Sequence, residues 1–420
     1  MTERMARILI VVNHYPPDVN PSGKLMHQLA LGLRERGHTV DVLTTFPHYQ
    51  SFRTEPGYRG KLIAREKVDH GRVTRVWAYA SGKKQRMLHR LANYVSFNAL
   101  ASVIGPLSRT RYDVVLANSG SFFTGITGWL IRLLRRTPFI YNVQDIYPDV
   151  PVRAGQLRNP TAIRVLEQIE RFMYDRAAHI TVISNEQRAV LMRKGVPGSR
   201  VTVIPNFVDT TFIRPLPKDN ELARRLGLHD RFVVAHAGNL GYAYDFDSVL
   251  QAAAMLKQQS NILFLIVGDG VLRAHLAAQI AAQALTNVRM LPFQPEADLP
   301  WLRAAIDVQL SLYAKGSVQS SLPSKIYEIM ASARPAIVSA ERGSDLFNLI
   351  TATGCGICIE PENAEQLGDA IRALHDDESK RELLGQRGRD AVERSFSKQV
   401  AVDAYARLIN DIDKAVYAPQ

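Results

Sequence analysis

A lysine and a glutamate three residues apart, Lys325 and Glu328, mark the stretch of this chain best suited to bind an anion. Ser324 precedes them, and Pro323, which has no backbone N–H, suits a first helical turn. Free N–H groups and a lysine at a helix start favour phosphate binding. The alternative is an ordinary surface ion pair between Lys325 and Glu328, worth roughly 0.2–0.5 kcal/mol. Apolar residues then recur at steps of three and four, as on one helix face: Ile326, Ile329, Met330 and Ala333.

The elements around this stretch follow a strand–loop–helix pattern. Arg334-Pro335 ends the predicted helix, and residues 336–338 form an apolar run that predicts a buried strand. The chain opens in the same way, with an apolar run from Arg7 to Val12, a proline-rich loop, a helix ending at Gly37 and a strand over Val40–Thr44. No Gly-x-Gly-x-x-Gly follows the first strand, so a dinucleotide is not the expected ligand.

The pattern restarts after a linker near residues 206–217 that contains two prolines. Strands are predicted again at 231–236 and 262–267. Two successive doubly wound halves imply a cleft between them. We therefore predict an α/β protein with two Rossmann-like domains and a terminal helix that packs back on the first domain, over residues 1–212, 213–396 and 397–420.

Polar residues and a glycine stand where parallel sheets bind ligands, just beyond the carboxyl ends of strands. Gln144 and Asp145 hold that position after the strand that begins at Phe139. Gly23, in the loop after the first strand, either lets a ligand approach the backbone closely or is a plain loop glycine. His14 lies in the same loop, where it is either a polar contact or merely solvated.

The net charge of +12 indicates an anionic partner such as nucleotide phosphates, a lipid surface or nucleic acid. A basic cluster precedes a mostly apolar helical segment, Leu91–Ile104, which is how a peripheral protein meets an anionic membrane. The alternative is a core helix with a solvated basic end. The cluster comprises Lys83, Lys84, Arg86, His89 and Arg90.

Other features of the sequence favour structural roles. Cys355 and Cys358 lie in an apolar run without a second cysteine pair, which predicts reduced thiols in a strand. Asp245 and Asp247 form an Asp-x-Asp pair before an apolar helix, where a helix cap is favoured over a metal site. The N-terminal apolar run is too short to predict a signal peptide, and no run approaches the ~20 residues of a membrane-spanning helix.

Six motifs, in this order and over about residues 7–395, resemble the retaining glycosyltransferases of family four, which have the GT-B fold. The final motif resembles the subgroup that builds capsule, colanic-acid or N-acetylfucosamine-containing polysaccharides. The motifs are Tyr15-Pro-Pro with Gly23, Arg36-Gly-His-Thr-Val, Ile204-Pro-Asn-Phe-Val-Asp209, Gly238-Asn-Leu-Gly241, Val267-Gly-Asp-Gly270, and Leu322-Pro-Ser-Lys325 with Glu328.

The resemblance implies a nucleotide-sugar donor in the second domain and an acceptor in the first, across the cleft. Glu328 would hold the ribose, and Lys325 with the backbone near Ser324 would bind the diphosphate without a metal. The glycine-containing loops would approach the phosphates at Gly23, Gly238, Asn239 and Gly241. The acceptor-side candidates are His14, Gln144 and Asp145. The catalytic candidates are Lys325, Glu328 and Asp145. The sequence departs from the family pattern at Gln144, Asn239, Tyr244 and Ser320.

The predicted protein is a retaining, metal-independent glycosyltransferase that needs no cofactor beyond its sugar nucleotide. It would extend a saccharide that is linked to polyprenyl phosphate, at the cytoplasmic surface of the inner membrane. It would not bind nucleic acid. Two rivals stay open at this point. One is a sugar-nucleotide epimerase of the same fold, which needs no acceptor. The other is a basic nucleic-acid-binding protein, although no recognition module is present in the sequence.

Overall fold

The computed structural model describes residues 5–18, 20–82, 87–153, 155, 157–317 and 322–417. Contacts divide the chain into two compact units. The first runs to Asn206 and takes in the residues from Ala401 onward, and the second spans Phe207–Val400. Three of the basic residues noted above, Lys83, Lys84 and Arg86, lie outside the described residues, as do Ser320 and Ser321.

The first unit is built on an eight-stranded sheet of order β3-β4-β2-β1-β5-β6-β7-β8. Every pairing is parallel except that of β3 with β4. The central strands are buried on both faces, which explains their continuous apolar runs. The strands are β1 Arg7–Val11, β2 Thr39–Thr45, β3 Ile63–Val68, β4 Gly71–Val76, β5 Val114–Asn118, β6 Phe139–Val143, β7 His179–Val182 and β8 Val201–Val203.

Helices cover both faces of this sheet. The first begins at Pro21, because the Asn20 side chain accepts a hydrogen bond from the Gly23 N–H and proline suits the first helical position. The prediction of a loop through Gly23 was therefore wrong. The helices that precede the second unit are α1 Pro21–Glu35, α2 Met87–Ile104, α3 Thr124–Arg135, α4 Asp149–Arg153, α5 Pro160–Arg176 and α6 Asn185–Arg193.

The second unit holds a six-stranded, fully parallel sheet of order β11-β10-β9-β12-β13-β14. The chain leaves β9 in one direction and returns to its other side at β12, so the carboxyl ends of β9 and β12 form a topological switch point, where such sheets bind ligands. The strands are β9 Phe232–Ala237, β10 Ile262–Val267, β11 Val288–Leu291, β12 Val308–Ser311, β13 Ala336–Ser339 and β14 Gly356–Ile359.

One helix of this unit is shorter than predicted. It spans Lys325–Ala331 and buries Ile326, Ile329 and Met330 as expected, but Ala333 has φ +52° and lies outside the helix. The helices of the unit are α7 Glu221–Arg225, α8 Phe246–Met255, α9 Arg273–Ala282, α10 Leu299–Ala304, α11 Lys325–Ala331, α12 Asp345–Thr353, α13 Ala364–His375 and α14 Glu378–Ser395.

The last helix, α15 (Lys398–Tyr417), belongs to the first unit from Ala401 onward. Asn142 Nδ2 of β6 donates to the Tyr405 hydroxyl at 2.9 Å, and Arg36 Nε donates to Asp403 at 2.8 Å. In the described part of the chain, none of the helices is both long enough and apolar enough to cross a bilayer. The doubly wound α/β architecture of both units confirms the fold class predicted from the sequence.

Candidate functional site

The Lys325 side chain lies over the glycine loop that follows β9. Its Nζ is 3.2 Å from Nε2 of His236 and 4.5 Å from the centroid of the Tyr244 ring. A Cβ at Gly238 would lie 2.9 Å from Lys325 Cε and Nζ, so the end of the lysine side chain would have to move away. The φ of +149° at Gly238 also favours glycine there. The first residue of α11 and the end of β9 therefore meet at the switch point of the sheet.

Two glycine loops pack backbone against backbone beneath this amine. Gly238 N–H donates to the Val267 carbonyl at 2.8 Å, and Leu240 N–H donates to the Asp269 carbonyl at 2.9 Å. A Cβ at Gly268 would lie 1.8 Å from the Gly238 carbonyl oxygen, so no other residue fits there. The structure thus brings together Gly238, Asn239, Gly241 and Lys325, four of the residues selected from the sequence.

The amine of Lys325 is easily deprotonated. Burial lowers its pKa to about 7, the nearby Arg303 guanidinium acts in the same direction, and Glu328 opposes them. Burial and the Lys325 charge likewise hold the pKa of His236 well below its ordinary value, so His236 is neutral. An anion placed on this cluster would restore the proton of Lys325, because an opposite charge favours the ammonium form.

Glu328 is held by an arginine that the sequence analysis missed. Arg303 Nη2 of α10 pairs with the Glu328 carboxylate, and Arg303 Nη1 donates to Gln309. The Arg303 side chain is 5% exposed and that of Glu328 is 37% exposed. The Glu328 carboxylate is therefore fixed on its buried side by Arg303, while part of the side chain remains accessible to solvent. No ion pair joins Lys325 to Glu328, both of which lie within the described residues, and the surface-pair alternative was wrong.

Ser324 caps α11 through its backbone only. It is exposed, and its side chain makes no capping hydrogen bond, while its carbonyl accepts from the Tyr327 N–H at 3.2 Å. The Asn239 carbonyl lies 3.4 Å from His236 Nε2. Ser324 is therefore the exposed neighbour of Lys325 at the start of α11. Asn239 is linked to Lys325 indirectly, because both contact His236 Nε2.

His14 of the first unit is part of a polar cluster after β1. Its Nδ1 lies 3.0 Å from Asp18 Oδ2, its Nε2 lies 2.9 Å from Asn13 Nδ2, and its ring centroid is 4.8 Å from that of His48. Burial opposes ionisation of Asp18, but hydrogen bonds from His14 and the Tyr49 N–H outweigh it and lower the pKa of the carboxyl. His14 is thus held in place, not merely solvated.

His14, Asp18 and His48 have ligand atoms within 4.8 Å of one another, a grouping that can hold a metal ion. The protein already engages these atoms, because His48 Nδ1 lies 2.7 Å from the Phe46 carbonyl and its Nε2 lies 2.8 Å from Asn93 Nδ2. The side chains of His14, Asp18 and His48 are therefore held by hydrogen bonds within the protein. Sequence reasoning missed Asp18 and His48, although His48 follows the carboxyl end of β2.

The backbone at Gly23 lies close to the His14 loop of the protein. A Cβ there would lie 2.6 Å from the His14 carbonyl oxygen, so glycine is needed for α1 to pack on the His14 loop. Gln144 is also engaged, since its Nε2 donates to Asn142 at 2.9 Å and its Oε1 accepts from Asn206 at 3.0 Å. Asp145 beside it is exposed to solvent.

Asp245 and the cysteines have structural settings. The Asp245 side chain accepts a hydrogen bond from the Ser248 N–H at 3.0 Å, which confirms the helix-cap interpretation. Cys355 and Cys358 are free thiols, and Cys358 lies in β14. Burial raises the pKa of both, that of Cys358 to about 11, so neither is a ready nucleophile.

Comparison with known families accounts for both units. Residues 22–206 match the model of the glycosyl transferase 4-like domain, and residues 218–391 match that of the glycosyl transferases of group 1. The chain is a group 1 glycosyltransferase. The glycosyltransferase activity and the family predicted from the sequence are thereby confirmed.

Individual proteins resemble this glycosyltransferase over nearly its whole length. A colanic acid biosynthesis glycosyl transferase, WcaI of Escherichia coli K12, is 26% identical over 97% of this chain and 99% of its own. Sucrose-phosphate synthase of Thermosynechococcus elongatus superposes with a TM-score of 0.73 at 19% identity, over 98% of this chain and 100% of its own. Anabaena HepE in complex with UDP-glucose gives 0.70 at 17% identity, over 97% and 100%. The glycosyltransferase therefore has the GT-B fold.

Proposed function

We propose that this glycosyltransferase moves a sugar from a nucleoside diphosphate to a saccharide in polysaccharide biosynthesis, with retention of anomeric configuration. The donor assignment rests on the position of Lys325. Its amine lies against Gly238 and His236 at the switch point of the second unit. The WcaI likeness supports a polysaccharide product. The structure of HepE with UDP-glucose supports UDP as the first nucleotide to try.

The proposed chemistry follows from where charge develops. Cleavage of the bond between the sugar anomeric carbon and phosphate oxygen leaves negative charge on the nucleoside diphosphate. Lys325, protonated as that anion arrives, stabilises the charge in place of a metal ion. The backbone of Ser324 and of the loop from Gly238 to Gly241 lies around the same amine and would approach the phosphates. The acceptor oxygen bonds to the anomeric carbon on the face from which the diphosphate leaves, and the proton of the acceptor hydroxyl passes to an oxygen of the leaving phosphate.

Glu328 would bind the ribose hydroxyls. A carboxylate accepts two hydrogen bonds from a vicinal diol, and Arg303 fixes the carboxylate from its buried side while more than a third of Glu328 stays open. On the acceptor side we assign His14, Gln144 and Asp145. We also propose that the backbone at Gly23 lines the donor phosphates. Of these, Asp145 is exposed and His14 is oriented by Asp18.

Donor binding should take up a proton. Because the pKa of Lys325 is about 7 in the free protein, the amine is mostly neutral above that pH and must be protonated when the diphosphate binds. UDP affinity should therefore fall as pH rises from about 7 to about 9, by up to about tenfold per pH unit. Calorimetry in two buffers of different ionisation enthalpy measures the uptake. Equal uptake by wild type and Lys325→Met at pH 8 would contradict it.

We further propose that the enzyme works on the inner face of the cell membrane, on an acceptor linked to polyprenyl phosphate. One face of α2 and the turn after it forms an apolar row that is exposed to solvent, which we call the α2 stripe. Its residues recur at steps of three and four: Leu88, Leu91, Val95, Ala99, Val103 and Leu107. Residues 70–112 contain eight lysines and arginines and no aspartate or glutamate, which suits an anionic bilayer.

Leu91→Ser with Val95→Ser should release the protein from vesicles that contain phosphatidylglycerol. Burying an apolar side chain contributes roughly 1.5–3 kcal/mol, so two polar replacements should weaken binding about 100-fold or more. Both side chains are exposed, so the melting temperature should not change. Co-sedimentation with vesicles measures the effect. The control is Val165→Ser with Met192→Ser, two exposed apolar residues on α5 and α6. An equal loss in the control pair would refute the stripe as the membrane contact.

A further inference from the structure

The proposed reaction does not use a cavity of about 460 Å³ in the first unit, beside the carboxyl end of α2. Three arginines line it, Arg65 on β3, Arg72 on β4 and Arg109 in the loop after α2. Thr74, Ser108 and Tyr112 add hydroxyl groups. A cavity of this size with several convergent donors is suited to an anionic group.

Strand register explains why arginines far apart in sequence meet here. Arg65 pairs with Thr74 across the β3–β4 ladder, and Thr74 pairs with Leu43 of β2, so these side chains share one face of the sheet. Arg72 lies two residues before Thr74 and shares that face. Helix α2 covers the Leu43 part of the face and ends at Ile104, which leaves the outer strands open beneath Arg109.

The cavity carries more positive than negative charge. Arg72 is neutralised, since its Nη2 donates to Asp41 at 2.9 Å, and it also donates to Thr110 at 2.7 Å. Arg65 and Arg109 are exposed, and within the described part of the chain neither guanidinium group makes a hydrogen bond or an ion pair. Two unpaired guanidinium groups beside a fixed third one favour a ligand that carries a phosphate.

The position of the cavity identifies the source of that phosphate. Leu107, which ends the α2 stripe, is also a wall of the cavity and is 71% exposed. Asn93, near the start of α2, contacts His48, whereas Ile104 lines the cavity, so about 16 Å of helix separates the cavity from the His14 cluster. The site is thus next to the proposed membrane contact and remote from the proposed acceptor hydroxyl.

We propose that this cavity binds the headgroup phosphate of an anionic membrane lipid, with Arg65 and Arg109 contacting the phosphate oxygens and Arg72 forming the floor. The inference rests on the membrane association proposed above. The α2 stripe and the basic residues around it would bind any anionic bilayer, and the cavity would add a site for one lipid headgroup. The lipid fixes the rotation of the first unit about α2, because the phosphate stays at headgroup level while the α2 stripe enters the apolar layer.

The test compares Arg65→Gln with Arg109→Gln against a matched double variant, Arg34→Gln with Arg407→Gln. The control residues are also exposed and lie on α1 and α15, outside the lining of the cavity, and the change in net charge is the same. Binding is measured on phosphatidylcholine vesicles with and without phosphatidylglycerol. The cavity variant should bind the anionic vesicles about 30-fold more weakly than wild type, and the control should change by less than about threefold.

The outcomes separate this inference from the proposal on which it rests. If wild type binds neither vesicle, the membrane association fails and the lipid site fails with it. If wild type binds and the two double variants lose affinity equally, the membrane association stands and the cavity is refuted. UDP affinity should be the same in all three proteins, because the donor cluster lies in the other unit.

Inorganic phosphate distinguishes a lipid from a free anion. If phosphate raises the melting temperature of wild type but not of the Arg65→Gln, Arg109→Gln variant, while both bind anionic vesicles equally, the ligand is a free phosphate and the lipid is refuted. If the variant loses vesicle binding and millimolar phosphate shifts neither protein, the lipid site is supported.

Discussion

Lys325→Met should lower kcat for sugar transfer by about 100- to 1,000-fold, as expected when one preorganised donor to a developing anion is removed. Methionine keeps the length of the side chain and its contact with Gly238 but cannot carry charge. Because the amine is crowded by Arg303 and has a depressed pKa, its removal should leave the free energy of unfolding unchanged or raise it. A lower kcat in an equally stable protein is the signature of a catalytic charge.

The matched control is Lys380→Met, an exposed lysine in the first turn of α14. It should transfer sugar at the wild-type rate. Initial rates at saturating donor, followed by release of nucleoside diphosphate, measure both variants, and a thermal melt checks their stability. Full kcat in Lys325→Met would contradict the assigned role of the amine.

Glu328→Ala should raise the KM for the donor about 100-fold, since hydrogen bonds to a charged acceptor contribute roughly 1.5–3 kcal/mol each. The change should also destabilise the fold, because Arg303 is buried and loses its carboxylate. Part of the Glu328 side chain faces solvent, so water can replace the missing partner and the cost is limited to about 1–3 kcal/mol. Urea unfolding measures that cost separately from the kinetics.

Glu328→Gln separates the two effects. The amide oxygen still accepts from Arg303 but carries no charge, so stability should recover in part and the KM should lie between wild type and Glu328→Ala. Glu365→Ala, an exposed glutamate in the first turn of α13, is the control and should leave both quantities unchanged. A Glu328→Ala protein that is less stable but has the wild-type KM would leave Glu328 with a structural role alone.

The sequence predicted the fold well because its signals are local. Strands buried on both faces appear as short apolar runs, such as Ile262–Val267, and the glycine loops after β9 and β10 stand out by composition. The surroundings of Lys325 could not be predicted in this way. His236, Tyr244 and Arg303 reach it from three other elements, and no local pattern marks which distant side chains will meet.

In the first unit, too, the sequence does not show which distant residues meet. Asp18 and His48 flank His14 only because the loops after β1 and β2 fold together at one edge of the sheet. The need for glycine at Gly23 arises from the His14 carbonyl, which the sequence does not place. The cavity on the α2 side joins Arg65, Arg72 and Arg109 through strand register, which becomes visible only in three dimensions.

The most direct measurement is a crystal structure of the protein with UDP. The expected binding mode places a phosphate oxygen about 2.7–2.9 Å from Lys325 Nζ, as in other charge-assisted hydrogen bonds, and the ribose hydroxyls on the Glu328 carboxylate. In that mode, Lys325 leaves His236 Nε2 for the phosphate. A nucleotide bound elsewhere, with Lys325 still 3.2 Å from His236, would contradict it.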